Sequence, residues 1–239
     1  VHKRDVAPPR IDASGYPMSA SLLRPPAEQN PLPLRHHPSL YAAFDVFPST
    51  KGAAIHIDRM ARALFAKIGG GLLYVLGGPE LPPYQREGAV EIVRFFEPLP
   101  NYLERAMHFS SALAGLIADQ PELRIAHYRD PWSGVALLDR AEVPHKTLYE
   151  INGLPSIELT HTYPDIAPET LAKIAAIERF CWERADRIAT PAATLKENLV
   201  RLGAPEAKIA VIPNGADVIE AGAALEGMPA KYLIYFGAL

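Results

Sequence analysis

A carboxylate and an amide lie two positions apart in the sequence, at Glu150 and Asn152, and Gly153 follows them. Alternate residues of a strand point to the same face, so these two side chains should lie side by side. They need hydrogen-bond partners, which are either hydroxyl groups of a ligand or neighbouring backbone groups. Because ligands of open α/β sheets bind at the carboxyl ends of strands, we favour a ligand here.

A second candidate is the turn that contains Lys51, Gly52 and Ala53, ahead of an amphipathic helical segment. Small residues let the backbone approach a ligand, and the N–H groups at a helix N-terminus attract anions. Lys51 would add a positive charge. The alternative is an ordinary turn with an exposed lysine.

Three further positions carry polar groups near expected strand or helix ends. Arg129 suits a phosphate or carboxylate and Asp130 can cap the next helix, although both residues could serve local structure alone. Asn214 and Gly215 form a common turn pair that signals little by itself. Glu178 falls on the apolar stripe of a helical segment, where a hydrogen bond to a loop is the favoured explanation.

The sequence around these residues alternates between apolar runs and helical patterns. The runs are typical of strands that are buried on both faces, and they cover residues 41–47, 72–76, 90–96, 124–128, 147–151, 187–189 and 208–212. This alternation predicts an α/β fold with a doubly wound, mostly parallel sheet of the Rossmann-like kind.

Four helices are predicted between the strands, over residues 54–68, 101–118, 165–185 and 190–203. Asn101 and Glu104 can form a capping box at the start of the second helix, and Gly203 should end the fourth. We expect Met107 and Leu202 to face the core. We also expect Cys181 to be a small buried apolar residue.

The chain divides into four parts by composition. Residues 1–40 hold eight of the 24 prolines and predict a poorly ordered leader, in which His36 and His37 are solvated. Residues 41–217 form the Rossmann-like domain and 218–230 a linker. An apolar run within 231–239 predicts the first strand of a second domain, so we expect the chain to be a truncated fragment.

Composition excludes several classes of protein. The 24 Lys and Arg against 27 Asp and Glu give a net charge of −3, which does not favour a nucleic-acid binder. A single cysteine excludes an intrachain disulfide framework, and no apolar run reaches membrane-spanning length. The glycine fingerprint of dinucleotide enzymes, the phosphate-binding loop of nucleotide hydrolases, and the zinc-peptidase, serine-hydrolase and Asp-x-Asp motifs are all absent from the sequence.

Five segments in the same order resemble the N-terminal half of a family 4 glycosyltransferase with the GT-B fold. They are 149–159, with the sequence YEINGLPSIEL, 129–132 (RDPW), 211–215 (VIPNG), 183–191 (ERADRIATP) and the Lys51-Gly52 turn. The resemblance runs from about residue 41 to residue 239. It implies a cytoplasmic enzyme that transfers a sugar from a nucleotide-sugar donor to a glycan, lipid or small-molecule acceptor. It further implies retention at the anomeric carbon and no cofactor or obligatory metal.

The resemblance also assigns roles to individual residues. It places Lys51, Gly52 and Ala53 at the donor phosphates and Asn214 and Gly215 beside the donor. Arg129 is a further candidate for the phosphates. Asn152 occupies the place where many members carry a histidine near the reacting sugar, which makes Asn152 and Glu150 the catalytic candidates.

Several points depart from the family or leave alternatives open. Ala53 replaces a second glycine and Ala192 a common serine, and the donor-binding half with its glutamate pair is missing, so this chain alone should be inactive. A nucleotide-sugar epimerase of similar fold and a non-catalytic partner-binding module remain alternatives. The basic residues Arg59, Arg62 and Lys67 could touch the inner face of a membrane, but a solvated helix face is the favoured interpretation.

Overall fold

The computed structural model describes residues 34–139 and 145–215. The predicted leader up to residue 33, the linker and the strand within 231–239 lie outside the described residues. Eight strands form one sheet, with bounds β1 Ser39–Val46, β2 Gly71–Leu76, β3 Tyr84–Glu87, β4 Val90–Phe95, β5 Ile125–Tyr128, β6 Lys146–Glu150, β7 Arg187–Thr190 and β8 Ile209–Val211.

The order of strands is β3-β4-β2-β1-β5-β6-β7-β8. All neighbours pair in parallel except β3 and β4, which are antiparallel. The order reverses direction at β1, which lies between β2 and β5. The predicted doubly wound, mostly parallel α/β sheet is therefore confirmed, and its switch point lies beside β1, where open sheets of this kind bind ligands.

Six α-helices connect the strands, with bounds α1 Gly52–Ile68, α2 Tyr102–Ala118, α3 Pro131–Leu138, α4 Pro155–Thr162, α5 Pro168–Arg184 and α6 Ala193–Arg201. The side chain of Asn101 accepts hydrogen bonds from the backbone N–H groups of Leu103 and Glu104, which confirms it as the cap of α2. Gly203 follows α6 with a φ of 99°, a conformation that suits glycine and ends the helix.

Core side chains cover both faces of the sheet. Tyr41 and Ala43 of β1 pack against Ile57 and Phe65 of α1, while Leu40 and other alternate residues join a second cluster with α2, α3 and α5. Strands buried on both faces read as continuous apolar runs, which explains why six of the seven predicted strands overlap the observed ones closely. The seventh, over 208–212, shortens to the three residues of β8.

Four expectations about individual elements are wrong. Strand β3 is missed because its residues are polar and half-buried at the edge of the sheet. Met107 is 66% exposed, since it lies one position, or about 100° around the helix, past the buried Ala106. Leu202 is 45% exposed beyond the end of α6, and Ala204 takes the buried position instead.

The fourth correction concerns the predicted leader. Strand β1 begins at Ser39, and the buried His37 has its Nε2 atom 3.2 Å from Glu91 Oε2 instead of being solvated. The backbone N–H of His37 donates to Gln120, and the Gln120 amide donates to the carbonyl of Arg35. This segment therefore belongs to the domain at its amino-terminal edge, whereas His36 is exposed as expected.

Helix α3 packs closely enough to require glycine at 134. A Cβ added there would lie 2.6 Å from the Sγ atom of Cys181 and 2.8 Å from Cε2 of Tyr128. Cys181 is fully buried, as expected.

We expect Gly134→Ala to destabilise the domain by about 1–3 kcal/mol, because the added methyl group has no space between α3 and α5. Urea unfolding measures the change. Gly78→Ala is the matched control, since a Cβ there meets only Leu81 at 3.9 Å, and its free energy of unfolding should stay close to that of the wild type. Equal stabilities for the two variants would contradict this packing account.

Candidate active site at the carboxyl edge of the sheet

The candidate site lies where β5 and β6 end beside the middle of β1. The strand register places Tyr41 of β1 opposite His127 of β5, and their rings contact at a centroid distance of 4.5 Å. Glu150 is the last residue of β6 and is 4% exposed. Its Oε2 atom accepts a hydrogen bond from the Tyr41 hydroxyl at 3.0 Å and lies 3.0 Å from Nε2 of His127.

The other carboxylate oxygen, Oε1, faces three more polar groups. The Asn152 amide donates to it at 2.5 Å and the Arg129 Nε donates at 3.0 Å. Nε2 of His56, on α1, lies 2.8 Å away in an ion-pair contact, although the ring is not oriented for a directed hydrogen bond. The expected proximity of Glu150 and Asn152 is thus confirmed. The described protein partners of Glu150 are side chains, in place of the backbone groups that were the alternative to a ligand.

These contacts determine the charge of Glu150. Burial alone would raise its pKa, but the hydrogen bond and charge of His127 and the charge of Arg129 outweigh burial and lower the pKa to about 2. Glu150 is therefore a permanent anion at physiological pH. An anion of this kind organises donors around itself and is a poor general acid or base at neutral pH.

Arg129 extends the network to β1. Its Nη1 atom lies 3.2 Å from Asp45, so this guanidinium binds two carboxylates. Burial raises the pKa of Asp45, opposed by the charges of Arg129 and Lys51.

Asp130 has the capping role that the sequence allowed. Its carboxylate accepts hydrogen bonds from the backbone N–H and hydroxyl of Ser133 at 2.7 and 3.0 Å, and from the backbone N–H of Phe44 at 2.7 Å. Burial raises its pKa to about 6 in spite of these bonds. Asp130 thereby ties β1 to the start of α3.

The remaining predicted site residues lie around this network. Lys51 precedes α1 and is exposed, and Gly52 and Ala53 lie in the first turn of α1. A Cβ added at Gly52 or Gly215 would meet no atom within 4 Å, so both backbones border open space. Asn214 and Gly215 are exposed past β8, two strands away from β6.

Sequence reasoning missed three members of the network: Tyr41, His56 and His127. His127 adjoins a quoted motif and lies at an expected strand end, so its position was a usable signal. Tyr41 and His56 gave none, because an aromatic residue at a strand start and a polar residue on a helix are ordinary features.

Glu178 is a structural residue, as favoured. Its carboxylate accepts hydrogen bonds from the backbone N–H of Ser156 at 2.7 Å and from the hydroxyl of the same serine at 2.6 Å. The bonds fix the start of α4 against α5, and with it the loop that carries Asn152.

Residues 34–139 and 145–215 also bear on metal binding and on membrane spanning. No group of three or more His, Cys, Asp or Glu side chains there could hold a metal ion. No helix in the same part of the chain is long and apolar enough to cross a membrane. Among the basic residues of α1, Arg62 forms ion pairs with Asp58 and Glu87, so much of its charge is already compensated.

The order of strands and their parallel pairing define a Rossmann-like α/β domain, the fold that the N-terminal half of GT-B proteins has. The model of Glycosyltransferase Family 4 matches residues 50–220, most of the chain. The chain belongs to this family. No curated protein sequence is significantly similar to it.

Solved structures agree with the fold. A sucrose-phosphate synthase from Thermosynechococcus elongatus has a TM-score of 0.54 at 16% identity, over 76% of this chain and 49% of that chain. A shorter chain of the same sucrose-phosphate synthase has a TM-score of 0.52 at 15% identity, over 75% of this chain and 90% of that one. The present chain thus spans about half the length of the longer structure.

We expect Glu150→Gln to lower the free energy of unfolding by about 3 kcal/mol at neutral pH, because the pKa falls from 4.5 to about 2 on folding. A lowered pKa stabilises the fold above the unfolded pKa, and that stabilisation is lost as the pH falls towards the folded pKa. The difference between wild type and variant should therefore shrink by roughly half near pH 3.

Urea unfolding at several pH values measures this difference. The exposed Glu183→Gln is the matched control, since it removes the same charge away from the site, and it should cost little at any pH. A stability gap for Glu150→Gln that is as large near pH 3 as at neutral pH would show that the charge of Glu150 is not its source.

Proposed function

We propose that this chain is the acceptor-side domain of a retaining glycosyltransferase that uses a nucleotide-sugar donor. Family membership supports sugar transfer, and the observation that carries the site is the hydrogen-bonded pair of Glu150 and Asn152 at the end of β6. The Glu150 carboxylate also contacts His56 of α1, so the loop after β6 and the start of α1 are both held against this carboxylate.

In the proposed reaction, a hydroxyl oxygen of the acceptor forms a bond to the anomeric carbon of the donor sugar. The bond from that carbon to the phosphate oxygen breaks, and its electron pair leaves with the nucleoside diphosphate. The hydroxyl proton goes to the departing phosphate. The anomeric configuration is retained.

Asn152 is the proposed catalytic residue, because it is exposed and its amide is oriented by Glu150. Its side-chain carbonyl remains available to accept a hydrogen bond from a sugar hydroxyl. Glu150 is buried and saturated with donors, so we assign it a positioning role in place of direct contact with substrate.

The donor diphosphate is proposed to meet the first turn of α1. Backbone N–H groups of a helix N-terminus and a lysine charge stabilise phosphate, and Gly52 borders open space. Lys51, Gly52 and Ala53 would supply this stabilisation without an obligatory metal. Arg129 stays a candidate for the phosphates, but its pairs with Asp45 and Glu150 already compensate much of its charge. Asn214 and Gly215 would border the donor. We place the reaction in the cytoplasm.

We expect Asn152→Ala to lower kcat for sugar transfer by about 10–100-fold, because the transition state loses an oriented amide. The full-length protein that contains this domain is incubated with nucleoside-diphosphate sugars and a panel of hydroxylated acceptors, and mass spectrometry follows the product. Ser111→Ala, an exposed change on α2, should leave kcat unchanged.

Other outcomes identify the alternatives. An epimerised nucleotide sugar formed without acceptor would show an epimerase. Ligand binding without any turnover by the full-length protein would show a non-catalytic module. A product whose anomeric configuration is inverted, measured by NMR, would contradict retention.

A further inference from the structure

A cleft next to the Glu150 network opens between the end of β1 and α2, and Asp45 belongs to both. Its volume of about 390 Å³ lies within the roughly 300–1,000 Å³ range of small-molecule sites. The walls come from the end of β1, the turn before α1, the end of β2 and the first turn of α2, and the lining residues are Phe44, Asp45, Val46, Ser49, Lys51, Ala53, Leu76, Tyr102 and Arg105.

Arg105 is held in this cleft by neutral groups. Its Nη1 atom donates to the backbone carbonyl of Leu99 at 2.8 Å, and its guanidinium carbon lies 5.9 Å from the centre of the Phe44 ring. Within the described residues no carboxylate lies within ion-pair distance of Arg105, whereas Arg62 and Arg129 each pair with two. The charge of Arg105 is therefore fixed in position and not compensated by the protein.

The rest of the cleft supplies a second cation, hydrogen-bonding groups and aromatic rings. Lys51 adds a second positive charge at the opposite wall, next to α1. Asp45 is 44% exposed on its side chain and can accept hydrogen bonds from hydroxyl groups, and Ser49 offers a hydroxyl. The rings of Phe44 and Tyr102 form an apolar wall. The cleft therefore has two cations, a carboxylate that accepts hydrogen bonds and an aromatic wall. These groups fit a ligand that carries both an anionic group and several hydroxyl groups.

We propose that this cleft binds the sugar acceptor, and that the acceptor is a polyhydroxylated molecule with one phosphate group that pairs with Arg105. The proposal rests on the function proposed above and specifies the acceptor's chemical class. The phosphate belongs either to a soluble sugar or polyol phosphate or to the headgroup of a lipid. Arg105 acts on the acceptor alone, whereas Lys51 lies between this cleft and the proposed donor phosphates.

Binding is measured by isothermal titration calorimetry with glucose 6-phosphate, glucose and uridine diphosphate. We expect glucose 6-phosphate to bind at least about tenfold more tightly than glucose, because a guanidinium binds phosphate through charge-assisted hydrogen bonds. Arg105→Gln should remove that preference and leave the affinity for uridine diphosphate unchanged. Glutamine preserves a donor for the Leu99 carbonyl, and the thermal midpoint of the variant checks its folding.

Arg124→Gln is the matched control. Arg124 is exposed beside the amino end of β5, so the variant loses the same charge at the opposite edge of the sheet. It should bind glucose 6-phosphate like the wild type. Vesicles of phosphatidylcholine with and without phosphatidylinositol test the lipid source, and binding that depends on both phosphatidylinositol and Arg105 would support a headgroup.

Three results would overturn the proposal. The first is that neither glucose 6-phosphate nor the phosphatidylinositol vesicles bind, and the second is that they bind Arg105→Gln as tightly as the wild type. The third is that Arg105→Gln loses its affinity for uridine diphosphate. The last would assign the cleft to the donor. Sugar transfer to neutral acceptors without binding of either phosphate probe would leave the proposed function standing and reject this acceptor class. Binding of glucose 6-phosphate through Arg105, without sugar transfer by the full-length protein to any acceptor, would reject the proposed function alone.

Discussion

The buried negative charge of Glu150 is the constraint on which the carboxyl edge of this domain depends. A carboxylate at the end of a central strand is costly to remove from water unless charges and hydrogen-bond donors replace the solvent. Here the hydrogen-bond partners come from β1, from β5 with the turn after it, and from the loop after β6, and His56 of α1 adds a contact from a fourth segment. Compensating one charge therefore sets the relative positions of four segments, and these segments form the candidate site.

The amino edge of the sheet uses the same chemistry for a different purpose. Glu91, in β4, is buried and meets His37 and Arg86, and these partners lower its pKa although burial opposes them. At this edge the compensated charge attaches the segment before β1 to the domain. The two edges thus resemble each other electrostatically. They differ in what they leave exposed, since the carboxyl edge presents the oriented amide of Asn152 and the cleft that contains Arg105.

Much of the fold was predictable because burial on both faces gives strands a continuous apolar pattern. The runs at 72–76 and 90–96 agree with β2 and β4 almost to the residue, whereas β3 carries polar side chains at an edge and has no such pattern. The pairing of Glu150 with Asn152 was predictable from local alternation. The contacts of Glu150 with Tyr41 and His56 were not, because they join residues about a hundred positions apart and depend on the order of strands.

Arg129 is a second residue whose partners could not be identified from the sequence. Its position after a strand correctly indicated a carboxylate or phosphate partner, but only the fold shows that Asp45 and Glu150 already provide carboxylates. Arg105 was overlooked, because one basic residue in the first turns of a helix is an ordinary surface feature. Its significance lies in the absence of a carboxylate near it in the described structure, which no sequence pattern reports.

The packing of Cys181 between α3 and α5 has a consequence for the chemistry of the whole chain. It is the chain's single cysteine, and burial raises the pKa of its thiol far above the ordinary value. Alkylating agents and peroxides attack the thiolate, and its formation at this site requires solvent access. Thiol modification of this chain is therefore limited by the rate at which α3 and α5 separate. A disulfide with another protein should form on opened molecules and not on the native domain.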